Sequence, residues 1–156
     1  MTFIANQSPP PVEAEPIVEN DGWFPDIDPA KVREQARLDG TVTAVRLRQA
    51  IMQAITDVNH ELAARKILLL AEGVSALDDL AGPEVGGVSV WLIHYQTAIC
   101  AHVQANLSEL YRDFTTTGQA EDMAQAMEAR ASEHRRNMRW AISALLGVSR
   151  TTVELI

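Results

Sequence analysis

Apolar residues recur along most of the chain at intervals of three and four positions, the spacing of one face of an α-helix. The longest stripe consists of Leu47, Ile51, Ile55, Val58, Leu62 and Leu69. This stripe predicts a long helix that begins after Thr41 or Thr43, either of which can cap it, and that ends before Gly73. Its length, roughly 42 Å, is large for a small domain.

Two more long helices are predicted after a loop at residues 72–88, which is rich in glycine and acidic residues and has a short turn near residues 76–80. The first runs from about residue 89 to residue 114, with Leu92, Tyr95, Ile99, Val103, Asn106, Leu110 and Phe114 on one face. The second runs from about residue 119 to residue 146, with Met123, Met127, His134, Met138, Ile142 and Leu145 inward. This spacing is typical of helices that pack lengthwise.

A short helix precedes these three. Asp28 fits the N-cap position and Pro29 the first helical position, where a missing N–H costs nothing. We expect the helix to end near Asp39, with Gly40 in the left-handed conformation. The fold class is therefore all-α, a bundle of three long helices plus one short N-terminal helix, with extended N- and C-terminal arms. The chain divides into a flexible acidic arm (residues 1–22), a helical domain (23–147) and an extended tail (148–156).

Composition narrows the classes of function. The chain has 156 residues, enough for one domain, and a formal net charge of −8, which argues against gripping nucleic-acid phosphates over its whole surface. Cys100 is the one cysteine, so neither an intrachain disulfide nor a four-thiolate zinc site is expected. The sequence shows no secretory signal and no apolar run long enough to span a bilayer, so we expect no membrane partner.

No catalytic constellation is apparent, and we expect neither an enzyme nor a cofactor. Asp57-x-x-His60 resembles half of a di-iron motif, but His134 lacks the acid that the other half needs. Cys100 and His102 point about 200° apart on one helix, so they cannot pair as nucleophile and base. A metal-dependent bundle enzyme stays an alternative, which metal analysis of the purified protein tests.

Charge is segregated along the chain. Basic residues gather near the starts of the first two helices, whereas residues 1–28 and 72–89 are acidic. A basic end of one subunit can meet the acidic elements of a neighbour in a head-to-tail ring, although the basic end can equally be a solubilising face. Candidate subunit-interface residues are Arg46, Arg48, Trp23 and Phe24. The alternative for the two aromatics is that they are core residues that hold the first helix against the bundle.

Several short strings resemble the phage head completion protein family, the L-type protein of Peduovirus-like tailed phages. They are WFPDIDP at residues 23–29, VRE at 32–34, RLRQAI at 46–51, YQTAICA at 95–101, LYR at 110–112 and MRWA at 138–141. The resemblance covers about residues 23–156 in consistent order. Asn137 stands where the family has an aspartate, and of its Lys-Pro-Arg after the last helix only Arg150 carries over.

The resemblance implies a structural virion protein at the head–tail junction, made in the host cytoplasm, which acts after DNA packaging. Its implied partners are the portal protein, the next connector or tail terminator, and further copies in a dodecameric ring through which DNA passes without sequence-specific binding. A helical DNA-packaging factor of small-terminase type is the alternative.

Two further groups of residues become candidates in this setting. The extended, β-branched tail is the candidate portal contact, because such a segment can add a strand to a partner's sheet. It comprises Arg150, Thr151, Thr152, Val153, Glu154, Leu155 and Ile156. Asp78, Asp79 and Glu84 are candidate channel-lining residues, because a net-negative lumen repels DNA phosphates.

Overall fold

The computed structural model describes residues 15–38, 40–112 and 120–148, and the all-α class is confirmed there. The helices are α1 (Pro29–Gln35), α2 (Ala44–Ala71), α3 (Val90–Arg112) and α4 (Ala120–Leu146). Between α2 and α3 lie a 3₁₀ turn at Leu77–Asp79 and two short strands, β1 (Glu84–Val85) and β2 (Val88–Ser89). The predicted C-terminal tail from residue 149 onward and most of the predicted N-terminal arm lie outside the described residues.

The start of α1 is as predicted, but its end is not. The Asp28 carboxylate accepts a hydrogen bond from the Ala30 backbone N–H at 2.9 Å. The helix ends at Gln35, and Arg37, with φ of 51°, takes the left-handed position that we had expected for Gly40. The Leu38 N–H closes the end by donating to the Arg33 carbonyl at 2.9 Å.

The prediction for α2 is confirmed at both ends. The Thr43 hydroxyl accepts a hydrogen bond from the Arg46 N–H at 3.3 Å, and Gly73 follows the helix with φ of 89°. The predicted stripe faces the core, with Ile55 partly buried and its other members fully buried.

The loop at residues 72–88 contains more structure than the sequence predicts. The short turn is present at Leu77–Asp79, and a β-hairpin that we did not predict follows it. Glu84 pairs with Ser89 and Val85 with Val88, so Gly86 and Gly87 form the two-residue connection. Both glycines have positive φ, 60° and 76°, as a type I′ turn requires.

Helices α3 and α4 form an antiparallel pair, with α2 packed across α3. Tyr95, Ile99 and Val103 are buried as predicted, but Leu110 is 47% exposed and Leu107 is buried instead. The buried face continues from Val103 in a step of four because an α-helix drifts about 20° per heptad from a strict heptad stripe. On α4, Ile142 and Leu145 are buried; Met127, His134 and Met138 are half-buried, and the Met123 side chain lies outside the described residues.

The chain just before the predicted domain boundary at residue 23 contacts the core. Val18 pairs with Ile27 as an antiparallel bridge, with N–H to carbonyl distances of 2.8 and 3.0 Å. Both side chains are buried in the core. The division of the chain into arm, domain and tail stays a prediction.

Candidate functional site

The groups that could carry chemistry are engaged in packing. Cys100 is buried, and burial raises the pKa of its thiol, which leaves less of the nucleophilic thiolate. His102 Nε2 on α3 lies 2.9 Å from Asp57 Oδ2 on α2, so Asp57 joins two helices. Within the described ranges, no group of three or more His, Cys, Asp or Glu side chains could hold a metal ion.

The predicted basic end is partly covered by the chain's own N-terminal segment. The Arg33 guanidinium forms an ion pair with Glu15 and donates to the Val42 carbonyl at 3.0 Å. Arg48 donates to the Pro16 carbonyl at 3.4 Å. Glu15 therefore pairs with Arg33 within one chain, whereas the sequence suggested that basic residues pair with the acidic elements of a neighbouring subunit.

The four predicted subunit-interface residues divide into two pairs. Arg46 and Arg48 are exposed at the start of α2, where a neighbour can reach them. Trp23 and Phe24 are buried within the single chain, and the Phe24 ring stacks on Tyr95 with centroids 4.9 Å apart. The structure thus shows a packing role for the two aromatics, and an interface role stays a prediction for all four.

A closed ring of side-chain hydrogen bonds joins the N-terminal segment to α2 and α3. Asn20 Nδ2 donates to Tyr95 Oη at 2.8 Å, and the Tyr95 hydroxyl donates to Asn59 Oδ1 at 2.7 Å. Asn59 Nδ2 completes the ring by donating to Asn20 Oδ1 at 2.8 Å. Burial raises the pKa of Tyr95, so its hydroxyl keeps its proton.

The three predicted channel-lining acids are brought together by the structure. Asp78, Asp79 and Glu84 are exposed and surround one groove of about 510 Å³. Val88 and Leu92 line the same groove, which we call the acidic groove, between the 3₁₀ turn and the start of α3. That these acids line a DNA channel stays a prediction.

The outward side of α4, which we call the α4 outer face, carries Arg136, Arg139 and Trp140. Trp140 is 41% exposed, and the Arg136 guanidinium carbon lies 4.8 Å from its ring centroid. The sequence analysis does not predict a site on this face, because it uses the MRWA string at residues 138–141 only as evidence for the family resemblance. The signal was available, since Trp140 falls off the inward stripe of Met138 and Ile142.

The last third of α2 has an apolar outer face, which was also missed. Ile67 is 66% exposed, and Leu68 and Leu70 beside it are exposed too. Leu62 and Leu69 on the opposite side are buried in the core. This part of the helix therefore carries apolar side chains on both its inner and its outer side, beside Arg65 and Lys66.

Comparison with known proteins identifies the family. A family model described as the phage head completion protein (GPL) matches residues 18–156. The chain is also 35% identical over 148 residues to the head completion/stabilization protein of Escherichia phage P2, covering 95% of this chain and 88% of that protein. The chain belongs to the phage head completion protein family. No solved structure matches this head completion protein.

The family match begins at residue 18, where Val18 pairs with Ile27. The WFPDIDP string at residues 23–29 supplies two core aromatics and the start of α1. Membership gives the protein a structural role in completing the head, as a component of the virion. Among the described residues, no helix combines the length and the apolar character needed to cross a membrane.

Proposed function

We propose that this head completion protein binds the portal after DNA packaging, stabilises the filled head and provides the platform for tail attachment. The family match across residues 18–156 carries this proposal, together with the name of the phage P2 relative. The proposed partners are the portal protein, the next connector or tail terminator, and further copies of the chain in a dodecameric ring at the head–tail junction. The proposed role needs no catalysis.

The surface chemistry of the chain supports a role in assembly. Monomeric soluble proteins rarely expose large contiguous apolar surfaces, and such surfaces mark interaction sites. The outer face of α2 around Ile67 and the α4 outer face around Trp140 both expose large apolar side chains. The groups that could carry chemistry, Cys100 and His102, lie in helix packing. The described surface is thus better suited to binding proteins than to transforming a substrate.

The direct test uses phage particles made without a functional copy of this protein. We expect packaged heads to lose DNA, measured as nuclease-protected DNA per head, and to fail to join tails in electron micrographs. Adding the purified full-length chain should restore DNA retention. Heads that keep their genome and join tails normally in its absence would contradict the proposal.

The proposed portal contact is tested by shortening the tail. Removing residues 150–156 should leave the helical content unchanged in far-ultraviolet circular dichroism, while abolishing retention of the chain on purified portal. A variant with the same tail residues in scrambled order is the matched control for length and charge, and it should also lose binding. Retention of the shortened chain on the portal would refute the tail as the contact.

A further inference from the structure

The α4 outer face has the composition of a protein interface. Trp140 lies two positions from Met138, which faces α3, and is therefore rotated about 200° around the helix, away from the core. Trp and Arg are the residue types most enriched at the energetic centres of protein interfaces. Here the Arg136 guanidinium stacks on the Trp140 ring, and exposed Arg139 lies beside them.

The acidic groove offers the complementary surface. Its carboxylates, Asp78, Asp79 and Glu84, oppose the arginines in charge. Val88 in the groove and Val85 in the same hairpin are both exposed, so apolar area is available for an indole ring. Ser89 also lines the groove.

The two surfaces of one chain do not cover each other. Glu109 on α3 pairs with Arg135 on α4, whereas the groove lies at the start of α3, where Leu92 lines it. Because the two helices run antiparallel, Leu92 and Trp140 are roughly 20 Å apart along the helix axes. The groove is therefore open to a neighbouring molecule.

We propose that the α4 outer face binds the acidic groove of a second copy of this chain. This inference deepens the proposed function and rests on it, because it names the surfaces through which copies meet in the ring. Contact between two different surfaces is heterologous, so it propagates from copy to copy and closes when the rotation permits. In this proposal Asp78, Asp79 and Glu84 contact the arginines of a neighbouring copy and do not face the DNA. The basic side chains of the contact are then those of α4. Arg136 also pairs with Glu133 one turn away at 3.4 Å, but both side chains stay at least half exposed. Arg33 and Arg48, by contrast, contact the chain's own N-terminal segment.

A cysteine pair tests the contact directly. In a full-length chain carrying Arg139→Cys and Asp79→Cys, oxidation should give a ladder of cross-linked multimers on a non-reducing gel. The ladder should form both in concentrated purified protein and in filled heads that contain the variant. Each variant with only one of the two added cysteines, which likewise keeps the buried Cys100, is the matched control and should give no ladder. Absence of multimers from both preparations, or dimers alone, would overturn the proposal.

Charge reversal provides a second measurement. Arg136→Glu with Arg139→Glu, or Asp78→Lys with Asp79→Lys, should each weaken self-association by at least about tenfold in sedimentation velocity, because like charges then face each other. A chain that carries all four reversals should regain association, since both surfaces have exchanged sign. Lys31→Glu, at an exposed position on α1, is the control and should have little effect. Failure of the four-fold variant to recover, with its helical content intact, would refute the pairing.

The outcomes separate this inference from the proposed function. If heads need the protein to retain DNA but show no cross-linked copies, the inference is wrong and the proposed function is supported. If cross-linked ladders form but heads retain DNA without the protein, the proposed function alone is wrong. A DNA-binding titration tests the alternative that the arginines of the α4 outer face bind nucleic acid. The proposal would be overturned if Arg136→Glu and Arg139→Glu abolish a salt-sensitive binding of DNA but leave the cross-linking between copies unchanged.

Discussion

The side-chain amide of Asn20 donates a hydrogen bond to the hydroxyl of Tyr95 at 2.8 Å, across 75 positions of the chain. Asn59 on α2 closes the ring of three hydrogen bonds between these side chains. Each member both donates and accepts within the ring. The N-terminal segment is therefore fixed to two long helices by polar contacts as well as by the burial of Val18.

Removing the Tyr95 hydroxyl leaves the part-buried Asn59 Oδ1 without this donor, whereas Asn20 Nδ2 still donates to the Pro25 carbonyl at 3.0 Å. We expect Tyr95→Phe to lower the free energy of unfolding by about 1–3 kcal/mol, the cost of leaving a buried polar group without its partner. Urea unfolding followed by circular dichroism measures the change. Thr97→Val is the matched control, because it removes a hydroxyl from an exposed residue of the same helix, one that donates to the Ile93 carbonyl within that helix. Equal stability of Tyr95→Phe and the natural chain would show that the ring contributes nothing.

Asp21 should make stability depend on pH in the acidic range. Burial alone would raise the pKa of Asp21, but hydrogen bonds from Lys66 and from the Phe24 and Trp23 backbone N–H groups outweigh it and lower the pKa below 3.8. Its stabilising contribution is therefore complete above the unfolded-state pKa and is lost as the pH falls through the lower folded-state value.

Asp21→Asn should reveal this contribution. We expect the variant to be less stable than the natural chain by roughly 0.5–1 kcal/mol at neutral pH, the range of a surface ion pair. The difference should shrink as the pH falls from about 5 toward 2. Urea midpoints measured across that range test it, with exposed Glu61→Gln as the control for the change in net charge. A difference that stays constant down to the lowest pH would be inconsistent with this account.

Gly82 has no room for a side chain. A Cβ built at this position would clash with the indole nitrogen of Trp91, which also donates to the Ala81 carbonyl at 3.3 Å. We expect Gly82→Ala to displace the Trp91 ring and to destabilise the fold by about 1–3 kcal/mol. Thermal unfolding and near-ultraviolet circular dichroism report the two effects.

Gly40 supplies the matched control for that substitution. Nothing lies within 4 Å of a Cβ placed there, and its φ is not left-handed. Gly40→Ala should therefore be neutral or stabilising by about 0.4–1 kcal/mol, through loss of freedom in the unfolded chain. Similar losses of stability at both glycines would argue against the contact with Trp91 as the cause.

Arg37 occupies a conformation that glycine adopts more easily. Its φ of 51° places a side chain in the left-handed region, which costs non-glycine residues roughly 1 kcal/mol. Arg37→Gly should accordingly raise the free energy of unfolding by up to about 1 kcal/mol. Ala36→Gly, where φ is −80°, should lower it by about 0.5–1 kcal/mol. Chemical denaturation of both variants measures these changes. A loss of stability in Arg37→Gly would show that the Arg37 side chain makes a stabilising contact.

The sequence predicted local structure best where one residue decides the outcome. Asp28 followed by Pro29 leaves few choices for where α1 begins, and Thr43 and Gly73 delimit α2 equally well. The end of α1 was mispredicted because residue preference pointed to Gly40. The backbone hydrogen bonds that close a helix act over a few residues, and here they outweigh the penalty at Arg37.

Partners distant in the chain were beyond sequence reasoning. Charge segregation suggested that the bases of one subunit meet the acids of a neighbour, which stays a prediction. Pattern alone does not distinguish a contact within a chain from one between chains. Arg33 finds Glu15, 18 positions away, and Asp57 finds His102, 45 positions away. Trp140 is a different case, because its place off the inward stripe of Met138 and Ile142 is evident from the sequence alone.

The two contacts of Arg33 have a mechanical consequence. One guanidinium holds both the segment that enters the domain at Glu15 and the connection between α1 and α2 at Val42. A binding event that draws Glu15 away would therefore loosen the α1–α2 connection at the same moment. Tension applied to the chain ahead of residue 15 would therefore act on the start of α2, without any rearrangement of α1 between them.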